Sequence, residues 1–145
     1  LIIGRSGEGI SKLKKNLDSF VAANKLAGVD SLKLDVEEVK SPESHAAIVG
    51  AMVREGIEKR MPFRRVLKQT ADKVMANRDV QGMRINLSGR LAGADMARRE
   101  AIKKGRIPLQ TFRADIDYAH VEAHIPQGQI GIRVWIYRGD VFEDK

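Results

Sequence analysis

Two glycines, Gly4 and Gly7, stand three residues apart just before a stretch of apolar residues with helical spacing. Glycine lets the backbone lie close to a phosphate, and the free N–H groups at a helix N-terminus favour an anion. The turn formed by Gly4, Arg5, Ser6 and Gly7 could therefore bind phosphate, although its spacing fits neither a dinucleotide-binding motif nor a P-loop. An ordinary glycine turn without a ligand is the alternative, and the motif taken alone favours it.

A second group of residues is basic. Arg64, Arg65 and Lys68 have the spacing that places side chains on one side of a helix, and Lys59 and Arg60 lie just before it. Such a cluster suits the phosphates of a nucleic acid and reads little base sequence. A solvated helix face is the alternative, but no acidic residue lies between positions 59 and 69 to pair with these cations.

A third group has the residue types of a metal or catalytic site. His120, Glu122 and His124 alternate, so on a strand they share a face, as in a two-histidine, one-carboxylate metal site. Asp115 and Asp117 form a second same-face pair. Both sets lie beside a predicted hairpin turn, where polar side chains are common, and the sequence shows no further convergent groups. We therefore predict no catalytic residue, no metal site, no cofactor and no enzymatic activity.

The elements that position these groups follow from the spacing of the apolar residues. A helix is predicted from Ile10 to Val21, and a half-buried strand from Leu32 to Val36. Ser41 is the predicted N-cap of a second helix, with Pro42 in its first position. Pro62 separates that helix from a third, which is strongly amphipathic.

The C-terminal part of the chain changes to a period of two. The pattern predicts strands over 83–87, 112–118 and 130–136, a turn at 126–128, and a short helix over 94–104 that ends at Gly105. The fold class is therefore α+β, with an antiparallel sheet covered by helices. The boundary between the two units of the chain falls near residues 40 and 41.

Two aromatic residues, Trp135 and Tyr137, lie on the last predicted strand. Stacking on nucleic-acid bases is one role open to them. Packing beneath the helices is the role that we predict, because both residues alternate with Val134 and Ile136 on a sheet covered by helices.

Composition restricts the class of protein. The 145 residues include no cysteine, which excludes disulfides and thiolate metal sites, and no apolar run has the length of a transmembrane helix. The net charge of +7 is concentrated, since residues 59–106 hold fourteen Lys and Arg against four Asp and Glu. Nine of the fourteen are arginines, whose planar guanidinium suits phosphate. A nucleic-acid partner is therefore predicted, and no membrane.

Ordered segments along the chain carry a resemblance to a known family. They are IIGRSGEGI at 2–10, EVKSPE at 38–43, RMPFRRVLK at 60–68, SGRLAGADMARRE at 88–100, GRIPLQTFRADIDY at 105–118 and GQIGIRVWIYRG at 128–139. In these segments the sequence resembles the bacterial-type small-subunit ribosomal protein three, of the universal uS-three family. The resemblance runs from Leu1 almost to the end of the chain.

The resemblance implies part of a type II KH domain at 1–40, with the preceding helix and strands of that domain outside this sequence, and a C-terminal α+β domain at 41–145. It implies binding of ribosomal RNA in the head of the small subunit. Arg5 and Ser6 stand where the family usually carries two lysines, which weakens one phosphate partner. The expected RNA-binding residues are Gly4, Arg5, Ser6, Gly7, Lys12, Lys59, Arg60, Arg64, Arg65, Lys68, Arg90, Arg98, Arg99 and Arg113.

By the same resemblance, Arg64, Arg65 and Lys68 lie where messenger RNA enters the subunit, and Arg90, Arg98, Arg99 and Arg113 contact ribosomal RNA. For Arg113 an ion pair with Asp115 is the alternative. Small-subunit ribosomal RNA, messenger RNA and neighbouring ribosomal proteins of the head and channel are the implied partners.

The expected function is that of a structural constituent of the small ribosomal subunit. The expected location is the cytoplasm, in a bacterial ribosome, with a mitochondrial or plastid ribosome as the alternative. A free-standing KH-type RNA-binding regulatory factor is the alternative function. Residues 88–139 favour the ribosomal function, because a generic KH protein would not carry that segment.

Overall fold

The computed structural model describes residues 7–24 and 33–142. The chain divides into two compact units, Leu1–Glu38 and Val39–Lys145. In the first unit, helix α1 spans Glu8–Ala23, as the apolar spacing predicted. No residue of α1 is buried, and Phe20 on its apolar stripe is 62% exposed.

The strand predicted from Leu32 to Val36 is not formed by the described residues. Leu32 lies outside the described ranges, and residues 33–39 carry no strand, with Val36 exposed. A strand is held by hydrogen bonds to a neighbour, and no described residue pairs with this segment. Alternation of apolar and polar residues was therefore not sufficient to make a strand here.

The second unit contains two helices and one four-stranded antiparallel sheet. The helices are α2, Ala46–Glu58, and α3, Phe63–Ala76; the strands are β1, Gly82–Gly89, β2, Arg98–Gly105, β3, Ala114–Ile125, and β4, Gly128–Asp140. The strand order is β2-β1-β4-β3, with all neighbours antiparallel. This arrangement confirms the α+β class. No helix in the described part of the chain is long and apolar enough to cross a membrane.

The core lies between the two helices and one face of the sheet. Alternate residues of the two central strands point toward the helices, and Ile85, Leu87, Ile132 and Val134 are all 0% exposed. Helices contribute apolar stripes spaced by three and four residues, for example Val49 of α2. The predicted strands around residues 85 and 132, and the predicted buried face of α3, are confirmed.

The helix predicted over 94–104 is wrong, because most of that segment is strand β2. Its residues are mainly Arg, Glu, Ala and Lys, which favour a helix when they are considered alone. In the structure all eight residues pair with β1, from Gly82 opposite Gly105 to Gly89 opposite Arg98. Charged side chains are typical of an edge strand, where they discourage pairing with another chain.

The start of α2 also differs from the prediction. Ser41 and Pro42 introduce a three-residue 3₁₀ turn, and the Ser41 side chain makes no capping hydrogen bond. Helix α2 begins only at Ala46, whose N–H donates to the Asp117 carboxylate of β3 at 2.8 Å. The cap is therefore supplied by a residue 71 positions away in the sequence.

Both aromatic residues of β4 lie apart from the helix-covered core, contrary to the prediction. Trp135 is half-buried on the opposite face of the sheet, where Tyr118 of β3 is its neighbour. Tyr137 is buried outside the core cluster, and its hydroxyl donates to Asp140 at 2.8 Å. That hydrogen bond, together with burial, raises the pKa of Tyr137 above its usual value.

Candidate nucleic-acid interface

The residues of α3 that pack into the core determine which of its side chains face the solvent. Val66, Leu67 and Val74 are packed into the core, so the opposite side of the helix faces outward. Arg64, Arg65 and Lys68 are all exposed, as the helical spacing predicted. We call these three residues the α3 basic face.

The three cations are not equivalent. Arg64 reaches Glu100 of β2, with its Nη2 at 3.1 Å and its Nε at 3.2 Å from the same carboxylate oxygen. The helix itself holds no acidic partner between positions 59 and 69, and Glu100 comes from the segment for which the sequence predicts a helix. Arg64 is therefore partly occupied by an internal partner.

Arg65 and Lys68 form no ion pair with any described residue. They line an open groove of about 470 Å³ between α3 and β2, which Ile102 also lines. Two unpaired cations one helical turn apart can each contact a phosphate of one nucleic-acid backbone. They are the cations of the α3 basic face best placed for an external ligand.

Lys59 and Arg60 lie in the turn between α2 and α3, where both are exposed. Lys59 donates to Glu55 at 2.5 Å, and this hydrogen bond and charge lower the pKa of Glu55. Arg60 has a left-handed backbone, with φ 58°, and forms no ion pair with a described residue. Of the two, Arg60 is the more available for a ligand.

The four arginines predicted to contact ribosomal RNA are in different environments. Arg90 donates to Ala94 O at 2.9 Å and to Gln127 O at 3.2 Å, so it ties the turn after β1 to the hairpin of β3 and β4. Arg113 donates to Asp140 at 3.3 Å, which is not the Asp115 partner considered from the sequence. Both guanidinium groups therefore have structural partners.

Arg98 and Arg99 are consecutive residues of a strand, so they point to opposite faces of the sheet. Arg98 lies on the side of the helices, and Arg99 lies on the uncovered side, opposite Ser88 of β1. A helix would have placed them much closer together. The two arginines therefore cannot act as one cluster.

The glycine turn is described only at its last residue. Gly4, Arg5 and Ser6 lie outside the described residues. Gly7 is the N-cap of α1 with φ 80°, a left-handed conformation that suits glycine, and a Cβ atom there would meet nothing within 4 Å. Lys12 is exposed on the first turns of α1. Phosphate binding by this turn remains a prediction.

The histidines and the glutamate of β3 share one face, as predicted, and all three side chains are exposed. Within the described ranges no group of three His, Cys, Asp or Glu side chains is arranged to hold a metal ion. His124 contacts Gln129 across the hairpin, with 3.2 Å between Nδ1 and Nε2. This arrangement offers no convergent acid and base.

The two aspartates of β3 have a structural role. Arg138 of β4 lies 2.9 Å from Asp117 and 3.9 Å from Asp115, and its Nε donates to Ser44 O at 3.1 Å. Asp117 also accepts the N–H of Ala46 at the start of α2. A carboxylate at a helix N-terminus is stabilised by the free N–H groups there. Asp117 therefore fixes α2 on the sheet, and Asp115 adds only a longer approach to Arg138.

Replacing Asp117 with alanine should lower the free energy of unfolding by about 1–3 kcal/mol, because it removes the acceptor of a helix N–H and of Arg138 Nη2. Urea unfolding followed by circular dichroism measures this. The matched control is Asp115→Ala, since that carboxylate is more exposed (41% against 29%) and farther from Arg138. Its loss should cost less than about 1 kcal/mol. Equal losses in both variants would contradict the capping role.

The second unit is thus an α+β domain with helices on one face of its sheet and an exposed basic face on α3. A family model described as ribosomal protein S3, C-terminal domain, matches residues 53–136. The chain belongs to the ribosomal protein S3 family, which confirms the family predicted from the sequence segments.

Several proteins of that family are similar to the chain. The small ribosomal subunit protein uS3 of Caldicellulosiruptor bescii is 43% identical over 145 residues, covering 100% of this chain and 62% of that protein. The corresponding protein of Clostridium tetani is 43% identical over 145 residues, with coverages of 100% and 63%. Small ribosomal subunit protein uS3c of Porphyra purpurea is 38% identical over 144 residues, with coverages of 99% and 60%. The chain spans about three fifths of the length of these relatives.

Proposed function

We propose that this protein is a structural constituent of the small ribosomal subunit, where it binds ribosomal RNA and, through the α3 basic face, messenger RNA at the point where it enters. Family membership supports the ribosomal part of the proposal. Neighbouring ribosomal proteins of the head would be its protein partners. A bacterial cytoplasmic ribosome is the proposed location, and a mitochondrial or plastid ribosome is the alternative.

The observation that carries the messenger RNA contact is the pair of unpaired cations, Arg65 and Lys68, on the exposed side of α3. Phosphate contacts by such side chains hold a strand without reading its sequence, which is what passage of any message requires. A rigid helix packed on a core also keeps both cations at a fixed spacing. No step of this role needs a catalytic group.

A free-standing RNA-binding regulator remains the second candidate function. It would use the glycine turn before α1 and would not need the domain at 53–136. The match of that domain to a ribosomal family favours the ribosomal function. Co-sedimentation of the native protein with small subunits distinguishes the two, since a regulator would remain in the free fraction.

A cross-linking experiment tests the messenger RNA contact directly. The chain has no cysteine, so Lys68→Cys introduces a single thiol in this part of the protein, to which a short photo-activated cross-linker can be attached. In small subunits programmed with a labelled message, we expect cross-links from residue 68 to the message, because Lys68 is exposed and unpaired.

The matched control is Ala76→Cys, which is also exposed but lies about 12 Å further along the same helix. It should give fewer cross-links to the message. Cross-links from residue 68 that reach only ribosomal RNA or protein would reject the messenger RNA contact, while leaving the ribosomal location intact.

A further inference from the structure

The face of the sheet turned away from the helices carries a row of side chains in direct register. Tyr118 of β3 lies opposite Trp135 of β4, Trp135 lies opposite Arg84 of β1, and Arg84 lies opposite Lys103 of β2. The row therefore crosses all four strands. We call this side of the sheet the open face, and its other side chains include Asn86, Arg99, His120, Glu122 and Arg133.

Planar groups lie side by side within this row. The rings of Tyr118 and Trp135 have centroids 5.3 Å apart at an angle of 42°, and the Arg84 guanidinium lies 5.3 Å from the Trp135 ring. Tyr118 is 50% exposed. Large aromatic side chains on a sheet are usually covered, so an accessible pair backed by an arginine is suited to a planar ligand.

The charge of the open face favours a polyanion. Four cations lie on the same face as the aromatic pair, namely Arg84, Lys103, Arg99 and Arg133, and none forms an ion pair with any described residue. Glu122 is the one acidic residue among the open-face side chains named above. Elsewhere in this unit basic residues do find carboxylates, as Lys104 does with Asp72. RNA carries a phosphate at every nucleotide to neutralise these four charges, whereas a protein partner would need a carboxylate placed opposite each of them.

We propose that the open face binds single-stranded RNA, with bases stacked on Tyr118 and Trp135 and phosphates held by Arg84, Lys103 and Arg133. A four-stranded sheet with accessible aromatics is a known platform for stacking unpaired bases. This site is separate from the α3 basic face, because α3 packs on the other side of the sheet. It therefore does not depend on the messenger RNA contact proposed above.

The sequence provides a specific reporter for this site. Trp135 is the single tryptophan of the chain, so its fluorescence reports on the open face alone. Titration of the 145-residue chain with a ten-nucleotide oligouridylate should quench Trp135 with saturation. Inorganic polyphosphate of similar charge should not quench it, because polyphosphate has no bases to stack.

Two variants make the test residue-specific. Tyr118→Ala should raise the dissociation constant measured by quenching about 5- to 150-fold. Tyr118→Phe keeps the aromatic ring and should leave this constant unchanged. The matched control is Arg54→Ala, which removes one cation from the exposed side of α2, on the other side of the sheet, and should leave this constant unchanged. Each variant is first checked for an unchanged circular dichroism spectrum.

Two results would overturn the proposal. One is an unchanged Trp135 fluorescence under conditions where fluorescence anisotropy shows saturable binding of labelled RNA. This result would mean that the RNA binds elsewhere on the chain, and it would leave the open face to a protein partner. The other is equal quenching by polyphosphate, which would mean that charge alone acts and that no base is stacked.

Discussion

Gly82→Ala should destabilise the second unit by about 3 kcal/mol or more, the largest effect that we expect from a single added methyl group. Gly82 begins β1 and lies opposite Gly105, the last residue of β2. A Cβ atom at Gly82 would overlap Arg106 O and would lie 2.7 Å from Arg106 N, and both atoms are backbone. The first ladder pairs of β1 and β2 would therefore have to separate. Urea unfolding of the variant measures the loss.

The matched control is Gly131→Ala in the neighbouring strand β4. A Cβ atom there would meet Ser88 Oγ at 3.3 Å, and a hydroxyl group at the end of a side chain can move. We expect this substitution to change the free energy of unfolding by less than about 1 kcal/mol. Equal stability of the two variants would contradict the close approach of Gly82 to the Arg106 backbone.

The elements predicted correctly are those whose characteristic residue pattern lies within the element itself. Helix α3 has an apolar stripe, a proline before its first residue and basic residues opposite the stripe, so its start and its exposed cations follow from its own residues alone. The alternation of Ile130, Ile132, Val134 and Ile136 likewise identified β4 as a strand.

The elements predicted incorrectly depend on distant partners. Strand β2 has a helical composition and becomes a strand only because β1 offers it a complete set of hydrogen bonds. The Arg64 and Glu100 pair joins residues 36 positions apart, and it could not be found while residues 94–104 were predicted as a helix.

The open face could not be predicted from the alternation of apolar and polar residues. Alternation indicates that Trp135 and Ile136 point to opposite sides of the sheet, but it does not say which side the helices cover. Tyr118 pairs directly with Trp135, so it too lies on the uncovered side. Helices α2 and α3 cover one side only, and that fact comes from the three-dimensional packing.

Replacing both Arg65 and Lys68 with alanine should weaken binding of the chain to unrelated single-stranded RNAs to about the same degree. Phosphates are common to all RNA sequences, so loss of phosphate contacts carries no sequence preference. At 0.1 M salt we expect the affinity for RNA to fall about 25-fold. This figure assumes that each of the two contacts contributes about 0.7 to the slope of log affinity against log salt concentration, and that the variant and the unmodified chain bind equally at 1 M salt. Arg64→Ala should have a smaller effect, because Arg64 is already paired with Glu100.

The salt dependence of RNA affinity tests the phosphate-binding role of the α3 basic face most directly. In a plot of log affinity against log salt concentration, Arg65→Ala with Lys68→Ala should flatten the slope by about 1.4. Glu100→Gln should act in the opposite direction and steepen the slope by up to about 0.7, because it releases Arg64 from its ion pair. Slopes that stay equal to that of the unmodified chain in both variants would contradict RNA binding by this face.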